Sequence, residues 1–198
     1  MLNKYVFLDK RIIKTQSSIK YALLNLLIHK ELSHITVSDI VKAAGISRVS
    51  FYNHYDNKED LLNETMDEIV EDFVNAYRGA SQNLHNFKIN DLNLSSVKVF
   101  DHVYRNSLFY TAVVNSNLII KFTEKLIVAI KALWVTEYKL LNSNIDNQLY
   151  TVHNIYAIIG LIIEWVKEDY KYSPKYMAQQ LISILHMSPN QSIQKASS

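Results

Sequence analysis

Apolar residues recur three and four positions apart along almost the whole chain, and only three glycines and two prolines punctuate its 198 residues. That spacing is the helical period, and so little turn chemistry leaves few hairpins to build, so an all-α protein is expected. At 48% hydrophobic and 11% aromatic, the chain has apolar matter for a core of one or two domains. There is no cysteine, which removes disulfides, thiolate metal sites and cysteine nucleophiles together and suits a reducing compartment. The opening MLNKYVFLDKRIIK has too short an apolar run for a signal peptide. The most apolar stretch, IYAIIGLII at 155–163, stops at Glu164, short of a bilayer span. A cytoplasmic protein without membrane attachment is therefore expected.

Net charge is only +2, but it is unevenly spread. Residues 1–60 hold nine basic side chains against six acidic ones, an excess of the sign that nucleic acid attracts. Within this region residues 9–30 form one amphipathic helix, with Ile12, Ile19, Leu23, Leu26 and Leu27 turned inward. The stretch HITVSDIVKAAGIS follows. Its Thr36 and Asp39 have capping-box spacing, and Ile35 is placed to staple onto Ile40. Gly45 supplies a left-handed residue that ends this short helix, and Ile46 can fold back onto Val41. Ser47 is then positioned to cap a new helix at once. Two short helices joined by a tight turn containing glycine are the pattern of a helix-turn-helix.

On the second of these helices Phe51 and Tyr55, four apart, face inward. Ser47, Arg48, Val49, Ser50, Tyr52, Asn53 and His54 are left on the outside. Hydroxyls and an arginine at a helix start can meet phosphates and base edges in a major groove, and a valine can touch a thymine methyl. The whole stretch TVSDIVKAAGISRVSFYNHYDNKEDLL resembles the DNA-binding domain of TetR-type transcriptional regulators. Their pattern runs from a capped helix through Ala-Gly-aliphatic-Ser to aromatics and Lys-Glu-x-Leu. The resemblance implies that Thr36, Tyr52 and Lys58 bind backbone phosphates and that Ser47, Arg48, Val49 and Ser50 lie nearest the bases. Tyr55 departs from the phenylalanine usual in that family, which raises the question of a partner for its hydroxyl.

The remainder reads as a second helical region, so the expected organisation is a three-helix DNA-binding domain over 1–57, an effector-sensing and dimerisation domain over 58–187, and a polar tail over 188–198. Asn57 can cap a helix over 58–78, whose acidic series Glu64, Glu68, Glu71 and Asp72 reads as a solvated face. Further helices are expected at about 96–106, 108–115, 117–141, 147–170 and 174–187, the last with Ser173 as cap and Pro174 at its first position. The helix at 147–170 is apolar around most of its circumference and so should be covered on two sides. Ile155, Ile159, Gly160, Ile162 and Ile163, with Met177, Leu181, Ile184 and Leu185 on the final helix, are the expected homodimer interface. Tyr104, Tyr110, Trp134, Tyr138 and Trp165 are candidates to line an effector pocket. The pairing of FDHVYRNSLFYTAVVNS with GLIIEWVKEDYKYSPKYMAQQL resembles the C-terminal module of regulators from low-GC Gram-positive bacteria, including activators of dihydroxyacetone kinase genes.

Nothing in the sequence points to catalysis. Glu31 and His34 have the spacing found in di-iron bundles but no second copy, and there is no glycine-rich phosphate loop or H-E-x-x-H. No catalytic residue, metal or cofactor is expected. The expected function is that of a homodimeric transcriptional regulator, a repressor on a palindromic operator, released by a small-molecule or protein effector. An architectural DNA-binding protein without a dedicated operator is the competing expectation.

Overall fold

A run of nearly uninterrupted helical periodicity becomes, in the computed structural model, an all-helical chain described over residues 2–79, 94, 97–137 and 145–186. Every regular element among the described residues is a helix: α1 Leu2–His29, α2 Val37–Ala44, α3 Arg48–Tyr52, α4 Lys58–Arg78, α5 Val99–Arg105, α6 Ser107–Val114, α7 Leu118–Glu137, α8 Asn147–Lys167 and α9 Pro174–Leu185. A single 3-10 turn, Leu32–His34, links α1 to α2. The caps follow local chemistry: Asn57 Oδ1 accepts the Asp60 N–H at 2.8 Å, and Ser173 Oγ accepts that of Tyr176 at 3.2 Å with Pro174 behind it. The expected tail 188–198, the segment at 80–93 and Tyr138 lie outside the described residues.

α1 packs on α2 and α4 and also on α6, while α4 runs between α1, α5 and α7. The buried residues therefore form one continuous cluster, from Ile19, Leu23, Ile40 and Phe51 through Phe73 and Phe100 to Ile155 and Trp165. Asn57 caps α4, and the buried cluster runs past it without a gap. Ile12, expected to face inward, is 42% exposed. Between α8 and α9 the chain turns through two left-handed non-glycine residues, Asp169 and Tyr170. They are held there because the Tyr170 hydroxyl donates to the Ser107 carbonyl at 3.0 Å, meets Thr111 Oγ1 at 3.2 Å, and its ring packs edge-on against Trp165.

α8 corrects the expected dimer surface. Ile155, Ile159 and Ile162, with Met177 and Leu181 of α9, are buried in the core of the protomer itself. The reason is the phase of the helix: α6 and α7 cover this side of α8. Its open side carries Leu149, Tyr156 and Gly160, with Ile163 half-covered at the edge, and Ile184 and Tyr176 are exposed on α9 beside half-buried Leu185. The apolar run stops at Glu164, but the helix that holds it extends from Asn147 to Lys167. Among the described residues α8 is the one helix long and apolar enough to cross a membrane by length and composition.

Candidate nucleic-acid interface

Three local devices set the geometry of α2 and α3. Thr36 Oγ1 accepts the Asp39 N–H at 3.2 Å while Asp39 Oδ2 accepts the Thr36 N–H at 2.9 Å and its hydroxyl at 2.8 Å, a complete capping box. These bonds, from the backbone first and the hydroxyl second, hold the Asp39 carboxyl below its ordinary range. At the other end Gly45 takes φ +66°, its N–H reaches the Lys42 carbonyl at 3.3 Å, and that of Ile46 reaches Val41 at 3.1 Å. This is a complete Schellman turn, and only a residue without Cβ adopts its central conformation cheaply. Ser47 Oγ then accepts the Ser50 N–H at 3.1 Å and starts α3.

α3 is shorter than its sequence implied. It ends at Tyr52, so Asn53 is its cap and His54 lies in the following turn, although the Tyr55 N–H still reaches the Phe51 carbonyl at 3.0 Å. Phe51 is fully buried and Tyr55 is 4% exposed, as the spacing required. Ser47, Arg48, Val49, Tyr52 and Asn53 are all exposed, with Ser50 and His54 partly covered. Val49 stands 71% exposed amid polar neighbours. An unburied β-branched residue there gains nothing for folding, and a thymine methyl is a contact it suits. Tyr52 is turned edge-on to Phe51 at 5.5 Å, which fixes its ring while leaving the hydroxyl end outside.

Two of the residues assigned to phosphates are engaged within the protein. The Thr36 hydroxyl proton goes to Asp39. Lys58 is engaged more deeply: its ammonium donates to the carbonyls of Leu32 and Ile35, each at 2.7 Å, and its side chain is only 18% exposed. It ties the start of α4 to the 3-10 turn and to the residue before the Thr36 cap, a contact 26 positions back that no local spacing reveals. The supposed solvated acidic face is likewise partly committed. Glu64 and Glu68 meet Lys20 of α1 at 2.9 and 2.6 Å, and Asp67 pairs with Lys125 of α7.

Among the described residues, the aromatic effector-pocket candidates Tyr104 and Tyr110 line different cavities. Tyr110 borders a small void of about 10 Å³ between α6, α7 and α8, room for one water molecule. Tyr104 instead lines an open cleft of about 890 Å³, with Asp72 and Asn75 of α4, Lys98, His102 and Arg105 around α5, and Pro174. Trp165 is core, its indole N–H given to the Tyr172 carbonyl at 3.0 Å, and Trp134, which lines neither space, donates to the Tyr77 hydroxyl at 3.1 Å. His102, 2% exposed, sits in the cleft's inner wall with Nε2 3.1 Å from the Tyr110 hydroxyl and its ring edge-on to Phe73. Burial pushes it down to about 4, so it is neutral at pH 7. No group of three or more His, Cys, Asp or Glu able to hold a metal ion occurs among the described residues.

Comparison with known proteins agrees with this geometry. The chain is 22% identical over 166 residues to the uncharacterized HTH-type transcriptional regulator YxbF of Bacillus subtilis (strain 168); the match takes in 84% of this chain but spans only 43% of that relative's length. A TetR transcriptional regulator from Streptococcus agalactiae 2603V has the same fold at 20% identity and TM-score 0.57, over 91% of this chain and 98% of that one. So does the dihydroxyacetone kinase operon activator DhaS, at 22% identity and TM-score 0.52 over 86% and 93%. Residues 22–70 match the family of bacterial regulatory proteins named for TetR, and residues 90–187 match a TetR-type family described as transcriptional regulator C-terminal region. With both of its regions matched in chain order, and with the helix-turn-helix geometry just described, this chain belongs to the TetR family.

Proposed function

We propose that the protein is a homodimeric, sequence-specific DNA-binding repressor that occupies a palindromic operator in the cytoplasm and leaves it when an effector binds. The observation that carries this reading is α3 itself, a helix capped by Ser47 that offers Arg48, Val49 and Tyr52, with Asn53 at its end, to the outside on a buried Phe51 anchor. Arg48 is suited to a bidentate guanine contact, and Ser47 and Tyr52 to phosphates. Two-fold pairing through the open side of α8 and α9, centred on Gly160, would present two such helices. A dimer seated on both half-sites excludes polymerase without any further contact, which favours repression.

Control would act through α4. The helix carries the DNA-binding end at Lys58 and borders the open cleft with Asp72 and Asn75 near its other end, so occupation of that cleft by a small molecule or a protein segment would tilt it. A preference of about 3 kcal/mol for the tilted state lowers operator affinity on the order of a hundredfold. The decisive experiment is selection from randomised duplexes by the full chain. A symmetric sequence with half-sites about 34–36 Å apart is expected. Uniform recovery of all sequences would favour an architectural DNA-binding protein instead.

A further inference from the structure

α3 has five residues, too few to hold its own orientation, so its pitch on the domain is set by what grips it. Its entrance is fixed by the Gly45 turn. Its middle is fixed by Phe51, but an apolar ring in an apolar socket resists withdrawal more than it resists rotation, because the hydrophobic contact has no direction. Direction enters at the exit. The buried Tyr55 donates its hydroxyl to Glu64 Oε1 of α4 at 2.9 Å. The Glu64 carboxylate also takes the Lys20 ammonium at 2.9 Å, and Lys20, only 15% exposed, reaches Glu68 Oε1 at 2.6 Å.

α1, α4 and the segment that follows α3 thus meet at one carboxylate. Burial by itself would raise the Glu64 carboxyl, but the bonds from Lys20 and Tyr55 outweigh it and hold the group below its ordinary range. Burial would likewise lower Lys20, and its two carboxylates reverse that and raise it. Both partners therefore stay ionised around neutral pH, and the Tyr55 bond is to a charged acceptor, the stronger and more directional kind.

We infer that Tyr55 is a positioning residue for DNA readout: through Glu64 and Lys20 its hydroxyl fixes the pitch at which Arg48–Tyr52 is presented, and so governs the ratio of specific to non-specific binding. The inference rests on the DNA-readout reading of α3. Phosphate contacts follow the backbone charge and tolerate small displacements, whereas a base-edge hydrogen bond weakens steeply outside its range of distance and angle. A tilt of about 10° about Phe51 moves a guanidinium roughly 10 Å away by about 2 Å, enough to break a base contact and leave phosphate contacts in place.

The test uses full-length Tyr55→Phe and Glu64→Gln. Phenylalanine keeps the buried ring, and Glu64, whose side chain is 42% exposed, can be rehydrated, so both variants should fold. Affinity is measured by fluorescence anisotropy for the duplex enriched by the unmodified protein and for a random-sequence duplex of equal length. For Tyr55→Phe the affinity ratio of enriched to random duplex should fall on the order of tenfold, the loss of one hydrogen bond to a charged group, with random-duplex binding changed less than about twofold. The double variant should lose no more than the worse single one, as members of one network do. An unchanged ratio, or equal losses on both duplexes, overturns the inference. In DNA-free protein, amide hydrogen exchange from Phe51 to Tyr55 should quicken in Tyr55→Phe while α1 and α4 keep their protection. If the unmodified protein enriches no duplex, the operator reading fails, and this exchange measurement alone decides the positioning role: unchanged exchange overturns it.

Discussion

Replacing Lys58 by methionine keeps the length of the side chain and removes the ammonium. In the native protein that ammonium lies 2.7 Å from the carbonyl oxygens of both Leu32 and Ile35. The Leu32 carbonyl also accepts the Ile35 N–H at 3.1 Å and so keeps a partner, whereas the Ile35 carbonyl, on a fully buried residue, loses its described donor. A hydrogen bond to a charged group contributes about 1.5–3 kcal/mol, and an abandoned acceptor adds its desolvation cost. Two bonds are lost, but the 18% exposure of the side chain lets water restore part of the loss, so about 2–3 kcal/mol is expected overall. For a chain of this length that lowers the thermal midpoint by about 4–12 °C. Far-UV circular dichroism melts of Lys58→Met measure it, beside DNA titrations over a range of salt. An unmoved midpoint together with a salt slope smaller by about one unit would refute the reasoning, because the ammonium would then be serving a phosphate.

Arg48→Ala should cost about 1–3 kcal/mol on the selected duplex and much less on random DNA; equal losses in a competition titration would deny it a base contact. Gly160→Leu should leave the protomer folded, since nothing lies within 4 Å of a Cβ built there, yet weaken the dimer; sedimentation velocity that finds the variant as dimeric as the unmodified protein would remove Gly160 from the interface. Because burial depresses His102 to about 4, its neutral form supports the fold fully above an unfolded value near 6.5, and that support drains away as pH falls between the two values. The loss is about 1.4 kcal/mol per pH unit and roughly 3 kcal/mol in all. Urea midpoints across this range should flatten in His102→Gln, and an identical acid limb in both proteins would exonerate the histidine.

What the sequence disclosed and what it withheld divide along a physical line. The capping box of Thr36 and Asp39, the turn at Gly45 and the start at Ser47 depend on residues within a few positions of each other, and each forms as its spacing required. The partners of Lys58, Tyr55 and Lys20 lie on other elements, so no local pattern names them. α8 misled for a different reason. With apolar residues on nearly every side, its periodicity cannot say which side meets α6 and α7 and which stays open, so it does not reveal that Ile155 and Ile162 are buried in the protomer while Leu149 and Tyr156 are exposed. The aromatics around Tyr104, Tyr110 and Trp165 share a helical spacing that serves packing and pocket lining alike, and burial alone separated them.

The contact between α1 and α6 bears on how such regulators can be recombined. A chimera that joins this DNA-reading end to another regulator's sensor, spliced at Asn57, would keep the caps and turn around α2 and α3 yet lose Lys58 and Glu64 and strip α1 of the α6 surface it leans on. Shuffled genes would therefore survive only where the incoming sensor brings an α6 that matches the outer side of α1. Grafting Arg48 and its neighbours alone, with the scaffold left untouched, is the safer route to a new operator preference.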